Sequence, residues 1–92
     1  KVEDVKAYLQ IKKLYKNKNY DACLDTISDV LKTYPNTLFR EELVYYKIKT
    51  YNELNDWDNV INEAKIFLRE YSSSDNIAEV LSLIAKGYSK VS

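Results

Sequence analysis

The chain is poor in the residue types on which most catalytic and metal sites depend. It has no histidine, one cysteine, one glycine and one proline among 92 residues. No Cys/His metal site can form without histidine, and a single cysteine forms no disulfide within the chain. The usual nucleophile–base pairs and glycine-rich phosphate loops are missing as well. We therefore expect a protein that is not an enzyme and that holds no metal and no cofactor.

Charge and hydropathy narrow the range of partners. Fourteen basic and fourteen acidic residues give a net charge of zero, whereas a nucleic-acid-binding surface carries a basic excess. No apolar run approaches the roughly 18 residues that a membrane-spanning helix needs. The first residue is Lys1 rather than Met, so we expect a piece of a longer protein, with any signal peptide or lipid anchor in the missing part.

One interval of 37 residues organises what is present. It relates Tyr8 to Tyr45, Ile11 to Ile48, Lys12 to Lys49, Asp21 to Asp58, Leu31 to Leu68, Tyr34 to Tyr71, Lys49 to Lys86 and Tyr51 to Tyr88. A fixed period between about 20 and 50 residues is typical of repeat architectures, in which one supersecondary unit stacks on the next. We predict a single domain over 1–92, with repeats of about 3–36, 37–73 and 74–92.

Apolar residues at spacings of three and four predict five helices and no strand. The predicted ranges are 3–17, 20–33, 37–54, 57–71 and 75–90. Asn19, then Asn36 or Thr37, then Asp56 are the predicted N-caps, and Pro35 ends the second helix. Short links make neighbouring helices antiparallel. The predicted fold is all-α, with antiparallel helical hairpins stacked as a right-handed superhelix of about two and a half repeats.

These hairpins resemble the tetratricopeptide repeat, whose first helix reads W-x2-L-G-x2-Y and whose second carries A-x3-F before a closing proline. The matching positions are Ala7, Gln10, Ile11, Leu14, Cys23, Ile27 and Pro35, then Val44, Lys47, Ile48, Tyr51, Val60, Ala64 and Ser72, then Leu81, Ile84, Ala85 and Tyr88. The chain departs from the family in its period, 37 rather than about 34, and in lacking the motif glycine. The resemblance implies that the first helices line a concave surface that binds a protein partner.

A narrower resemblance covers the middle of the chain, residues 15–51. Its segment LKTYPNT, residues 31–37, is similar to the Y-P-x-S/T ending of long-period repeats in periplasmic lipoproteins. The stretch looks like the C-terminal repeats of the outer-membrane-protein assembly lipoproteins, the BamD family, in their Bacteroidetes version. This implies a periplasmic, outer-membrane-associated scaffold that docks subunits of the β-barrel assembly machinery. The alternatives are a cytosolic repeat domain that binds a peptide segment of a partner and a structural spacer between domains.

Three lysines recur at one position of successive first helices. Lys12, Lys49 and Lys86 are each 37 residues apart, so a stack places them in a row on the concave face. One interpretation is a groove that accepts an acidic or C-terminal carboxylate segment of a partner. The other is a set of solvated lysines balanced by nearby acids such as Glu53.

The tyrosines fall into two groups. Tyr8, Tyr15 and Tyr45 are predicted to face the groove, either as anchors for a partner or as ordinary half-exposed packing residues. The repeat register assigns three others to the hairpin core: Tyr20, Tyr51 and Tyr88. Cys23 and Phe67 are predicted to be buried core residues.

The last predicted helix, 75–90, carries more apolar residues than one contact face needs. A following segment, a partner or a second copy should cover the remainder, because a terminal repeat needs a polar outer face to stay soluble. Among these we expect a weak symmetric homodimer through this helix.

Overall fold

A computed structural model describes residues 2–92, which form five α-helices and no strand. The predicted all-α fold class is therefore confirmed. The helices are α1 (Val2–Lys16), α2 (Tyr20–Thr33), α3 (Arg40–Glu53), α4 (Trp57–Glu70) and α5 (Ile77–Val91).

Within each hairpin, the first helix ends in a turn whose backbone lies in the left-handed region. Lys18 after α1 and Asn55 after α3 have φ values of 62° and 58°. The N–H of the next residue donates to the carbonyl five residues back, at 2.9 Å after Lys18 and 3.0 Å after Asn55. This is the hydrogen-bond pattern of the Schellman motif, which usually employs glycine. The two hairpins therefore turn in the same way although neither turn contains glycine.

Successive repeats are tied together by a second recurring element, which we call the joint. The hydroxyl of Thr37 donates to the carboxylate of Asp4 at 2.8 Å and accepts the backbone N–H two residues further on at 3.2 Å. Ser74 likewise donates to Glu41 at 2.8 Å and accepts the N–H two residues further on at 3.0 Å. Because Thr37 holds this turn instead of capping a helix, α3 begins at Arg40, later than predicted.

The predicted caps of the second helices lie where the sequence places them. Asn19 occupies the N-cap position of α2 but its side chain makes no capping hydrogen bond, whereas Asp56 caps α4 with its side chain. The Asp56 carboxylate accepts the backbone N–H of Asn59 at 3.4 Å and its side-chain amide at 2.8 Å. A carboxylate at this point satisfies a free backbone donor and favours the helix dipole.

The helices pack in chain order. Each helix contacts the next one, and α3 also contacts both α1 and α5. The first helices α1, α3 and α5 therefore form one layer of adjacent helices, against which α2 and α4 pack. This is the helical-repeat-like arrangement predicted from the 37-residue period; its right-handed sense stays a prediction.

Two apolar clusters fill the interior, and α3 contributes to both. The first consists of Ile11, Cys23, Ile27, Val30 and Leu43. The second consists of Val44, Ile48, Val60, Ala64, Phe67 and Val80. Cys23 and Phe67 are fully buried, which confirms both as core residues.

Tyr88 does not lie in the core as predicted. It is 45% exposed, although the equivalent Tyr51 packs against the second cluster. The difference arises because α4 covers Tyr51, whereas no described helix follows α5. On its other side α5 approaches α4 closely at Gly87, where an added Cβ would lie 2.9 Å from Cγ1 of Ile61.

Candidate functional site: a tyrosine cluster around Lys49

The candidate site is a lysine surrounded by tyrosine rings on the layer of first helices. The ammonium of Lys49 lies 4.4 Å from the ring centre of Tyr46, 4.6 Å from that of Tyr45 and 4.8 Å from that of Tyr15. Tyr45 and Tyr46 precede Lys49 by four and three residues on α3, so they share its face of the helix. Tyr15 reaches the same point from α1. Cation–π attraction therefore links the two first helices.

Tyr46 is the centre of the aromatic contacts. Its ring centre lies 5.4 Å from that of Tyr15, 6.1 Å from that of Tyr45 and 6.3 Å from that of Tyr8, with interplanar angles between 66° and 77°. Edge-to-face pairs of this kind are favourable beyond the area they bury. We call Tyr8, Tyr15, Tyr45, Tyr46 and Lys49 the tyrosine cluster.

The predicted groove tyrosines are therefore neighbours, joined by a residue that the prediction did not include. Tyr8 also stacks on Phe39, with ring centres 4.7 Å apart and planes at 19°. The only feature of the sequence that points to Tyr46 as a site residue is the Tyr45–Tyr46 pair at the middle of α3. Because adjacent helical residues are not directly aligned along the helix, the repeat register selects only Tyr45 as a groove residue, although both rings reach Lys49.

The three recurring lysines each lie over an aromatic ring, but not over the same group. Lys12 lies 5.4 Å from the ring centre of Tyr8, at the edge of the tyrosine cluster. Lys86 lies 5.3 Å from the ring centre of Trp57 on α4, a residue that the prediction also left out. The structure thus brings Lys12 and Lys49 to one aromatic surface and places Lys86 beside a second aromatic residue.

Carboxylates complete the electrostatics of this surface. The hydroxyl of Tyr45 donates to Glu79 on α5, and that of Tyr20 donates to Glu53 at 3.3 Å. The face thus carries acids as well as lysines. The surface is therefore of mixed charge rather than purely basic.

The tyrosine hydroxyls are held in the protonated state. Burial, with smaller contributions from Glu53 and from neighbouring tyrosines, raises the pKa of Tyr15 to about 12. Burial and the hydrogen bond to Glu79 raise the pKa of Tyr45 as well. Both effects penalise the negatively charged phenolate in the folded state.

This has a direct consequence for stability in alkali. Tyrosines of the unfolded chain titrate near pH 10, whereas folded Tyr15 titrates near 12. Between these values the unfolded state binds fewer protons, so the stabilisation by neutral phenols is complete below about pH 10 and is lost as the pH rises toward 12. We expect the melting temperature to fall steeply across this window, as measured by circular dichroism at a series of pH values.

The matched control is a Tyr15→Phe/Tyr45→Phe variant, which keeps the rings and every lysine but lacks the two titrating hydroxyls. Its melting temperature should fall less over the same pH window. An identical fall in both proteins would show that other groups govern the alkaline behaviour.

Cys23 offers no reactive thiol. Its sulfur is fully buried, 3.7 Å from the carbonyl oxygen of Ile11 and 3.6 Å from the hydroxyl of Thr50. Burial raises its pKa, only partly opposed by Thr50, whereas reactive cysteines need exposure and a lowered pKa.

No group of three or more potential metal ligands occurs among residues 2–92. None of the helices described there is long and apolar enough to cross a membrane.

A comparison of the chain with protein-family models finds no matching family, and a search of curated proteins finds no match either. The structure is that of an all-α, helical-repeat-like protein with a clustered aromatic surface on its layer of first helices.

Proposed function

We propose that this chain is a non-enzymatic scaffold that binds partner proteins. In this proposal the layer formed by α1, α3 and α5 is the binding face. The contacting residues are Tyr8, Tyr15, Tyr45, Lys12, Lys49 and Lys86, together with Tyr46.

The observation that carries the proposal is the tyrosine cluster. Tyr8, Tyr15, Tyr45 and Tyr46 are all half-buried, so each ring is fixed by packing while part of it still faces solvent. Aromatic side chains that are already ordered lose little entropy on binding, and tyrosine is enriched among the residues that dominate interface energies. A surface of this kind suits a peptide or a protein surface better than a small molecule.

The lysines define the chemistry of the partner segment. Lys12 and Lys86 are exposed and Lys49 is half-buried; together the three ammonium groups favour an acidic segment or a C-terminal carboxylate. Glu53 and Glu79 hold tyrosine hydroxyls on the same face, and they disfavour a partner with dense negative charge. The fitting segment therefore combines apolar or aromatic side chains with one or two carboxylates.

For the biological setting we propose a periplasmic, outer-membrane-associated subunit of the β-barrel assembly machinery. The support is the resemblance of residues 15–51 to the outer-membrane-protein assembly lipoproteins. The alternative is a cytosolic adaptor of the tetratricopeptide-repeat kind that binds a peptide segment. We also include a weak homodimer through α5 in the proposal.

The test is affinity capture from the membrane fraction and, separately, from the cytosolic fraction of the native cells. The variant replaces Lys12, Lys49 and Lys86 by Ser; the control variant replaces the exposed Lys6, Lys13 and Lys32 by Ser. We expect assembly subunits from the membrane fraction and a loss of capture in the first variant only, chiefly through slower association.

Circular dichroism melting of both variants separates binding from folding. Capture that is equal in the two variants would remove the recurring lysines from the interface. Partners that come from the cytosolic fraction alone would support the adaptor instead of the assembly subunit.

A further inference from the structure

The single tryptophan of the chain lies beside two lysines of the last helix. Trp57 is the first residue of α4, and the ammonium groups of Lys86 and Lys90 on α5 lie 5.3 Å and 5.9 Å from its ring centre. The two lysines are four residues apart, so they share one face of the helix, where like charges repel. Both are exposed. We call Trp57, Lys86 and Lys90 the tryptophan site.

The preceding repeat has a carboxylate at the position of Lys90. The equivalent pairs, each 37 residues apart, are Tyr20 and Trp57, Lys49 and Lys86, and Glu53 and Lys90. In the preceding repeat the hydroxyl of Tyr20 donates to the carboxylate of Glu53 at 3.3 Å. In the tryptophan site the aromatic residue still offers a donor, its indole N–H, but a second ammonium stands where the acceptor was. The tryptophan site therefore lacks the anion that its equivalent contains.

No other group in the described part of the chain supplies that anion. The ion pairs found among residues 2–92 involve neither lysine of the tryptophan site. Asp56, which precedes Trp57, uses both of its carboxylate oxygens to accept hydrogen bonds from Asn59. Asp58 follows Trp57, but Asp21 stands at the same place in the preceding repeat. The excess of positive charge is thus particular to the tryptophan site.

Further repeats would not cover the tryptophan site. In the preceding repeat the hydrogen bond between Tyr20 and Glu53 is exposed, although α4 and α5 both follow it. By the same repeat geometry, helices that followed α5 in a longer chain would leave the tryptophan site open. The anion that fits it therefore comes from outside the stack.

We infer that the tryptophan site binds an acidic side chain, aspartate or glutamate, from a segment of the partner protein. The carboxylate takes the place that Glu53 has in the preceding repeat: it accepts the indole N–H and binds the two ammonium groups by charge-assisted hydrogen bonds. The inference rests on the proposed function and adds Trp57 and Lys90 to the binding face. It places the partner's carboxylate here instead of at the tyrosine cluster, where Glu53 and Glu79 supply carboxylates from the chain itself.

Fluorescence reports on this site directly, because Trp57 is the only tryptophan. The probe is an acetylated and amidated peptide in which two phenylalanines flank two glutamates; the comparison peptide has glutamines in their place. Excitation at the red edge of the absorption band, where tyrosine does not absorb, selects Trp57. We expect a saturable change in Trp57 emission with the glutamate peptide, weakened by added salt, and none with the glutamine peptide.

Charge reversal at Lys90 tests the repeat comparison. Lys90→Glu restores the carboxylate of the preceding repeat and should weaken binding of the glutamate peptide about five- to tenfold, because a repulsion replaces an attraction. Lys65→Glu is the control: Lys65 is also exposed and lies 5.8 Å from the ring centre of Tyr88, so the charge change and the lost ring contact are alike. This variant should bind the peptide like the wild type. Circular dichroism melting checks that both variants are folded.

Three results would overturn the inference. They are an unchanged Trp57 emission with the glutamate peptide, equal binding by the wild type and Lys90→Glu, and a response only to the glutamine peptide with a free C-terminal carboxylate, which would indicate a chain terminus as the ligand.

The capture test separates this inference from the proposed function. Capture that is lost when Lys12, Lys49 and Lys86 are replaced, but kept in Lys90→Glu, would remove the tryptophan site and leave the proposed binding face. Peptide binding as expected, without capture of any partner, would remove the proposed function alone.

Discussion

Replacing Phe67 by Ala is expected to lower the free energy of unfolding by about 3–5 kcal/mol. The Phe67 side chain is fully buried on α4, and its ring centre lies 5.2 Å from that of Tyr71 and 6.4 Å from that of Tyr45. The truncation leaves a cavity in the cluster that joins α3, α4 and α5. Since a domain of this length has only about 5–9 kcal/mol of stability, the variant should be close to unfolding.

Urea titration monitored by circular dichroism measures this change. Leu38→Ala is the control, because Leu38 is 94% exposed in the loop before α3 and its truncation should alter the unfolding free energy by less than about 0.5 kcal/mol. Wild-type stability in Phe67→Ala would contradict the packing described for the second core cluster.

The second largest effect is expected for Tyr46→Ala, a loss of about 2–3 kcal/mol. Tyr46 makes edge-to-face contacts with three tyrosines and lies against the Lys49 ammonium. Aromatic pairs contribute about 0.5–1.5 kcal/mol each beyond area burial, but Tyr46 is only half-buried. The cost should therefore be smaller than that of removing Phe67.

Tyr46→Phe keeps the ring and should change the unfolding free energy by less than about 0.5 kcal/mol, since packing rather than the hydroxyl makes these contacts. Both variants are compared in the same urea titration. If Tyr46→Phe lost as much stability as Tyr46→Ala, the hydroxyl and not the ring would hold the cluster together.

Much of the fold was predictable from the sequence because local signals and the repeat agree. The apolar spacing placed α2 at 20–33, as observed, and the starts and ends of the other helices within a few residues. The largest error was the start of α3. Locally Thr37 resembles an N-cap, but its hydroxyl donates to Asp4 across the repeat. A hydrogen bond between residues 33 positions apart leaves no local signal.

Less of the candidate surface was predictable. The repeat register predicts Tyr8, Tyr15 and Tyr45 as groove residues, but it does not show that Tyr46 contacts all three, because the ring contacts depend on how α1 and α3 approach each other. The same limit applies to Lys86, whose neighbour Trp57 lies on another helix. The repeat register predicts both Tyr51 and Tyr88 in the hairpin core, but it does not show that no helix among the described residues covers Tyr88.

The sharing of α3 between two core clusters determines how this chain unfolds. Leu43 belongs to the cluster with α1 and α2, whereas Val44 and Ile48 belong to the cluster with α4 and α5. When each repeat contacts only its neighbours, the stability of the protein is close to a sum of the stabilities of the repeats and of the interfaces between them. Individual repeats can then unfold locally while the others stay folded. Opening of α1 and α2 leaves the second cluster intact, whereas opening of α3 destroys both. Amide hydrogen exchange should therefore be slowest in α3 and α4, and the N-terminal hairpin is the unit that the chain can release while the remainder stays folded.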